Sequence, residues 1–89
     1  MRWFRPRKVR HVTLYGKPGC HLCDDAAALL HRLARRFPMD IVEIDITTDP
    51  DMYRAYDIRI PVIVVNNGTQ IQLEAPIDEA ALRRALSHT

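Results

Sequence analysis

Thr13-Leu14-Tyr15-Gly16-Lys17-Pro18-Gly19-Cys20-His21-Leu22-Cys23 is the stretch on which the fold turns. Its first three residues continue an alternating, β-favouring run from His11 and Val12. Gly16 to Gly19 then break the run, and two cysteines three apart open a segment rich in alanine and leucine. Strand, turn and helix are predicted in that order. Cysteines at i and i+3 in the first turn of a helix bring their Cβ atoms close enough for a disulfide with little backbone movement. They are the only two cysteines in the 89 residues, so a single bond can be made, broken and remade.

The helix predicted to follow runs from His21 to Phe37. Leu22, Ala26, Leu30 or Leu29, Leu33 and Phe37 recur at steps of three and four, which marks one buried face. Asp24 and Asp25 favour its N-terminus and Arg32, Arg35 and Arg36 its C-terminus through the helix dipole. Pro38 stops it. Ile41 to Ile46 reads as a second strand. Asp49 is suited to cap and Pro50 to open a short helix through Tyr56. Val62 to Val65 is a nearly unbroken β-branched run, which fits a strand buried on both faces. Asn66-Asn67-Gly68-Thr69 supplies hairpin chemistry before Gln70 to Leu73. The last helix, Asp78 to Ser87, turns Ile77, Ala81, Leu82 and Ala85 or Leu86 inward. The order β-α-β-α-β-β-α describes an α/β domain. A right-handed crossover joins two parallel strands, and the hairpin completes a four-stranded mixed sheet with flanking helices.

A chain of 89 residues makes one domain with a single core, burying roughly 60% of the surface exposed when unfolded. Hydrophobic residues at 47% and charged residues at 27% are an ordinary globular mixture and exclude wholesale disorder. No apolar run approaches the ~20 residues of a membrane span, and Met1 to Arg10 lacks the apolar stretch of a secretory signal. A cytoplasmic, reducing location is the expectation. There a lone C-x-x-C serves redox or metal chemistry more often than stapling, and closing so short a loop removes little unfolded-chain entropy. Residues 1–10 form a basic arm with five of the thirteen lysines and arginines, while residues 11–89, the domain proper, carry three more acidic than basic groups. Such an arm has the charge to touch nucleic acid or an anionic membrane. The simpler expectation is a solvated tail with Trp3 and Phe4 packed back, and neither nucleic acid nor membrane is expected as a partner.

A thiol becomes a good nucleophile on ionising, and free amides at a helix N-terminus stabilise the thiolate. Cys20 is placed to receive that help. Cys23, one turn in, is expected to be more buried and to resolve a mixed disulfide formed on Cys20. Lys17 offers positive charge near the sulfur or a hold on a substrate carboxylate, and reads equally well as an exposed loop lysine. His21, if protonated, would also favour the thiolate. Asp24 and Asp25 oppose it by like charge. His11, His31 and His88 have no spacing that argues for catalysis. Pro61, at the start of a buried strand, either opens it as an ordinary trans proline or follows a cis bond.

The strand, the C-x-x-C at the head of the first long helix and a hydrophobic-Pro-Val strand start some forty residues later together resemble the thioredoxin superfamily, and more narrowly a glutaredoxin-like protein. The matching segments are Thr13 to Cys23, Val42-Glu43-Ile44-Asp45, Tyr56-Asp57-Ile58-Arg59-Ile60-Pro61-Val62 and the Asn67-Gly68 hairpin. The resemblance implies that Pro61 is cis and that its loop faces the sulfur, so that the Ile60 backbone pairs with a peptide-like substrate. It implies a glutathione contact at Lys17. Three departures bear on that. His21-Leu22 replaces the usual Pro-Tyr, and Arg59 replaces the common Thr. Leu73-Glu74-Ala75-Pro76 stands where a Gly-Gly pair normally lets the backbone approach the γ-glutamyl group, which counts against glutathione.

The expected function is thiol-disulfide oxidoreductase, with Cys20 attacking, Cys23 resolving, and Ile60 and Pro61 positioning a disulfide-bearing protein or small thiol. Turnover requires a reductant that the sequence does not identify. No tightly bound cofactor or metal is expected. The alternatives are a metal or iron-sulfur module, with two thiolates supplying half of a four-ligand site, and a binding protein of the same fold with inert cysteines.

Overall fold

The computed structural model describes residues 9–87. The basic arm, including Trp3 and Phe4, lies outside the described residues apart from its last two positions, and so does His88. Four strands, β1 (Arg10–Gly16), β2 (Met39–Asp45), β3 (Val62–Asn66) and β4 (Gln70–Glu74), form one sheet in the order β2-β1-β3-β4. β1 runs parallel to β2 and antiparallel to β3, and β3 runs antiparallel to β4. The helices are α1 (His21–Leu33), α2 (Pro50–Tyr56) and α3 (Glu79–Ser87).

Strand alternation sends Val12 and Leu14 to one face of the sheet. There they sit opposite Val65 and Ile63 of β3 and meet Ala26, Leu30 and Leu33 of α1 with Leu82, Ala85 and Leu86 of α3. This is the core. An exposed Arg32–Glu79 ion pair at 2.8 Å links α1 to α3 outside it. Tyr15 points to the opposite face, where its ring stacks on Tyr56 of α2 at 4.5 Å between centroids. β3 lies inside the sheet, and Val62, Ile63 and Val65 have no solvent exposure, as its β-branched run predicts.

Several boundaries differ from expectation. The regular part of α1 ends at Leu33, and the chain continues through turns to Phe37. Its buried face is Cys23, Ala26, Leu30 and Leu33. Leu22, assigned inward from its spacing, is 56% exposed, because Cys23 takes the inward place one position later. Ile46 is fully buried but belongs to a single 3-10 turn, Ile46–Thr48, instead of the second strand. The Asp45 carboxylate caps that turn by accepting from the Thr47 amide at 2.9 Å, which ends β2. Asp49 caps α2 through the Asp51 amide at 2.8 Å, with Pro50 at the first helical position. Asp49→Ala is therefore expected to cost about 1 kcal/mol, read as a small drop in the urea midpoint.

Candidate active site

Gly19, with φ +76°, turns the chain out of the Lys17-Pro18 loop, and Cys20 follows in extended conformation as the N-cap of α1. Its Sγ accepts the Cys23 amide hydrogen at 3.1 Å. A sulfur thus occupies the place that a serine or aspartate oxygen usually takes. Cys20 and Cys23 are joined in a disulfide with their Cα atoms 5.2 Å apart. Cys20 is half-buried, whereas Cys23 is 6% exposed and sits on the core side of the helix. An incoming molecule reaches the first sulfur more readily than the second.

Two hollows lie near the head of α1, the first reaching Cys23 and the second Leu22 between the cysteines. One, of about 250 Å³, lies between the carboxyl ends of β1 and β2 and the first turn of α1, and is lined by Gly16, Lys17, Cys23, Asp24, Glu43 and Asp45 among others. The parallel register explains its acidic wall, since Glu43 is level with Leu14 and Asp45 with Gly16. The Asp45 carboxyl is held below the usual carboxylate range by the Thr47 hydroxyl, at 2.6 Å, and the Thr47 amide. The second hollow, of about 230 Å³, is mainly apolar and is lined by Leu22, Ala26, Leu29, Pro61, Pro76 and Ile77 among others. Both Ile60–Pro61 and Ala75–Pro76 are cis peptides. The Ala75 amide donates to the Arg59 carbonyl at 3.3 Å, which ties the two proline loops together.

Lys17, Cys23 and Asp24 share the first cavity, and Pro61 shares the second with Leu22, the residue between the cysteines. Ile60 is half-buried, and its N–H donates to the Tyr56 carbonyl at 3.0 Å. Lys17 is not a free loop lysine. Its Nζ lies 3.1 Å from Asp57 Oδ1 and 5.7 Å from the centre of the Tyr53 ring. The hydrogen bond to Asp57, then that carboxylate's charge, raises the Lys17 ammonium above its ordinary value, so it stays charged at neutral pH. The exposed His21 imidazole lies 3.4 Å from Asp25, one helical turn on.

Sequence reasoning missed Asp57, forty positions from Lys17, and it missed Glu43 and Asp45 as cavity walls, although a parallel crossover places the ends of those strands side by side. It also took Gly16 for a turn residue. That glycine ends β1, and its sequence signal was a small residue directly after a strand pattern. Among the described residues no group of three His, Cys, Asp or Glu side chains is placed to hold a metal ion, and no helix is long and apolar enough to cross a membrane.

A search of curated proteins finds no match. Among solved structures, protein XcR50 from X. campestris is 31% identical, with 88% of this chain and 97% of that one covered and a TM-score of 0.68. Protein Ne2328 from Nitrosomonas europaea is 27% identical over 98% and 99% of the two chains, with a TM-score of 0.74. The oxidized form of mitochondrial thioredoxin 3 from Saccharomyces cerevisiae shares the fold at a TM-score of 0.68, with 20% identity over 90% and 78%. The profile of the Glutaredoxin-like domain (DUF836) matches residues 11–87. With its paired cysteines at the head of α1 and that match over nearly its whole length, the chain belongs to the glutaredoxin-like family of the thioredoxin superfamily.

Proposed function

We propose that the protein is a thiol-disulfide oxidoreductase whose Cys20–Cys23 pair exchanges with disulfides of protein partners. The observation that carries the reading is the unequal placing of two bonded sulfurs. Cys20 is the more exposed of the two, with its Sγ held by the Cys23 amide, and Cys23 is buried behind it. In the reduced form that amide and the helix dipole favour a Cys20 thiolate. The thiolate attacks a partner disulfide, forming a Cys20–partner bond and releasing the partner's other sulfur as thiolate. Cys23 then gives up its proton and attacks Cys20, closing the internal disulfide and expelling the second partner sulfur. The partner gains two electrons, and a thiol or dithiol reductant restores the pair.

A peptide-like partner fits the surroundings better than glutathione. The apolar groove beside Leu22 and Pro61 suits a side chain next to the partner cysteine, and Ile60 is left to pair through its carbonyl. For glutathione, the Lys17 charge is already paired with Asp57, and Pro76 offers no N–H where a γ-glutamyl carboxylate would seek backbone donors. Asp24, Glu43 and Asp45 add negative charge beside Cys23. Asp57→Asn, in a Cys23→Ser background, is accordingly expected to raise the rate of Cys20 glutathionylation severalfold at low salt, measured by intact mass. The function itself is tested by mixing pre-reduced protein with insulin. Stoichiometric cleavage of insulin disulfides supports the reading, and no transfer from a fully reduced pair contradicts it.

A further inference from the structure

Gly16 is buried at the end of β1. A glycine there weakens a strand and fills no space in the core, so its presence calls for a reason. Conformation is not the reason, because the glycines at positive φ are Gly19 and Gly68. Space is. A Cβ at position 16 would lie 3.0 Å from the Cys23 Cβ and 3.1 Å from its Sγ, closer than such atoms normally approach. The second cysteine rests directly on bare backbone.

We propose that Gly16 is a positioning residue for Cys23, the seat that sets the aim of the second sulfur at Cys20 and with it the rate and equilibrium of the resolving step. The proposal rests on the oxidoreductase reading. In that step the Cys23 thiolate, its proton released to solvent, forms the bond to Cys20 Sγ. The Cys20–partner bond breaks, and its electron pair leaves on the partner thiolate. The three sulfurs must lie nearly in line, and a misplacement of about 1 Å can cost ~10²-fold in such a step. Downstream of its first turn α1 is fixed by Ala26, Leu30 and Leu33 in the core, whereas Cys23 borders open cavity. A methyl group on residue 16 therefore displaces Cys23 and its sulfur before it displaces the helix. No atom of Cys20 lies within 4 Å of that added Cβ, so the clash acts on Cys23 alone and the attacking step is expected to be left alone.

Gly16→Ala is the test. Expected is a resolving rate, and an internal disulfide equilibrium in glutathione buffers, lowered about tenfold, consistent with a displacement of about half an ångström. Cys20 adduct formation should be equal in Cys23→Ser and in Gly16→Ala/Cys23→Ser. An unchanged resolving step, or an equal loss of Cys20 reactivity in the Cys23→Ser background, overturns the proposal. Should Gly16→Ala fold poorly, a stability cycle decides. Cys23→Gly removes both crowded atoms, so the alanine should cost stability in the parent and almost none in that background. The same cost in both, or failure of both alanine proteins to fold, also overturns it. Absence of any Cys20 adduct in Cys23→Ser alone would instead sink the redox reading and, with it, the resolving role.

Discussion

Cys23→Ser is expected to trap the protein as a mixed disulfide on Cys20, releasing its partner ~10²-fold more slowly than the parent. In the proposed exchange the second sulfur is an intramolecular nucleophile, with its Cα 5.2 Å from that of Cys20, and its replacement by external thiol forfeits the proximity that would make the step fast. Cys20→Ser should behave differently and abolish exchange altogether. The remaining thiol is 6% exposed and packed against Gly16, so it is shielded from a partner disulfide. Gel-shift trapping of a disulfide substrate checks both variants at once. If Cys20→Ser traps a partner as efficiently as Cys23→Ser does, the assigned roles are reversed.

The largest loss of stability is expected from Leu30→Ala. Leu30 has no solvent exposure and lies mid-helix among Val12, Leu14, Leu33, Ile63 and Leu86. Truncating such a side chain costs the transfer energy of the lost methyl groups plus that of the cavity left behind, about 2–5 kcal/mol. A small domain has roughly 5–15 kcal/mol in all. With a urea slope of about 1–3 kcal/mol/M, the midpoint of the oxidised protein should fall by about 2 M, if the variant folds at all. His31→Ala, one residue along on the exposed face, loses only a 3.6 Å contact with Glu43 in water and should move it by little. Comparable losses for the two would mean that the face of α1 has been misassigned.

The elements that carry strong local signals were legible before any coordinates. The Thr13 to Cys23 stretch places a strand, a break and a helix start, and the Val62 to Val65 run places an interior strand, because branched residues on successive positions bury both faces. The Asp49-Pro50 pair marks the start of α2 for a local reason too, a side chain meeting the amide two residues on. What escaped was set by tertiary contact. Leu22 and Cys23 differ by only one step of helical phase, and the packing of Cys23 on Gly16 decides which of them turns inward. Ile46 has the composition of a strand residue, yet the Asp45 side chain captures the Thr47 amide and ends the ladder. Lys17 meets Asp57 only because Tyr56 stacks on Tyr15 and holds α2 beneath β1. No spacing along the chain encodes that meeting.

The most direct test of the account is the intact mass of the protein equilibrated across a series of glutathione redox buffers, with Cys23→Ser alongside. Expected are reversible loss of two hydrogens with a midpoint of about −200 to −270 mV, the range of glutaredoxins and thioredoxin, and an adduct on Cys20 in the variant. Thiols that stay reduced across the whole series, with no adduct on Cys20, would contradict it.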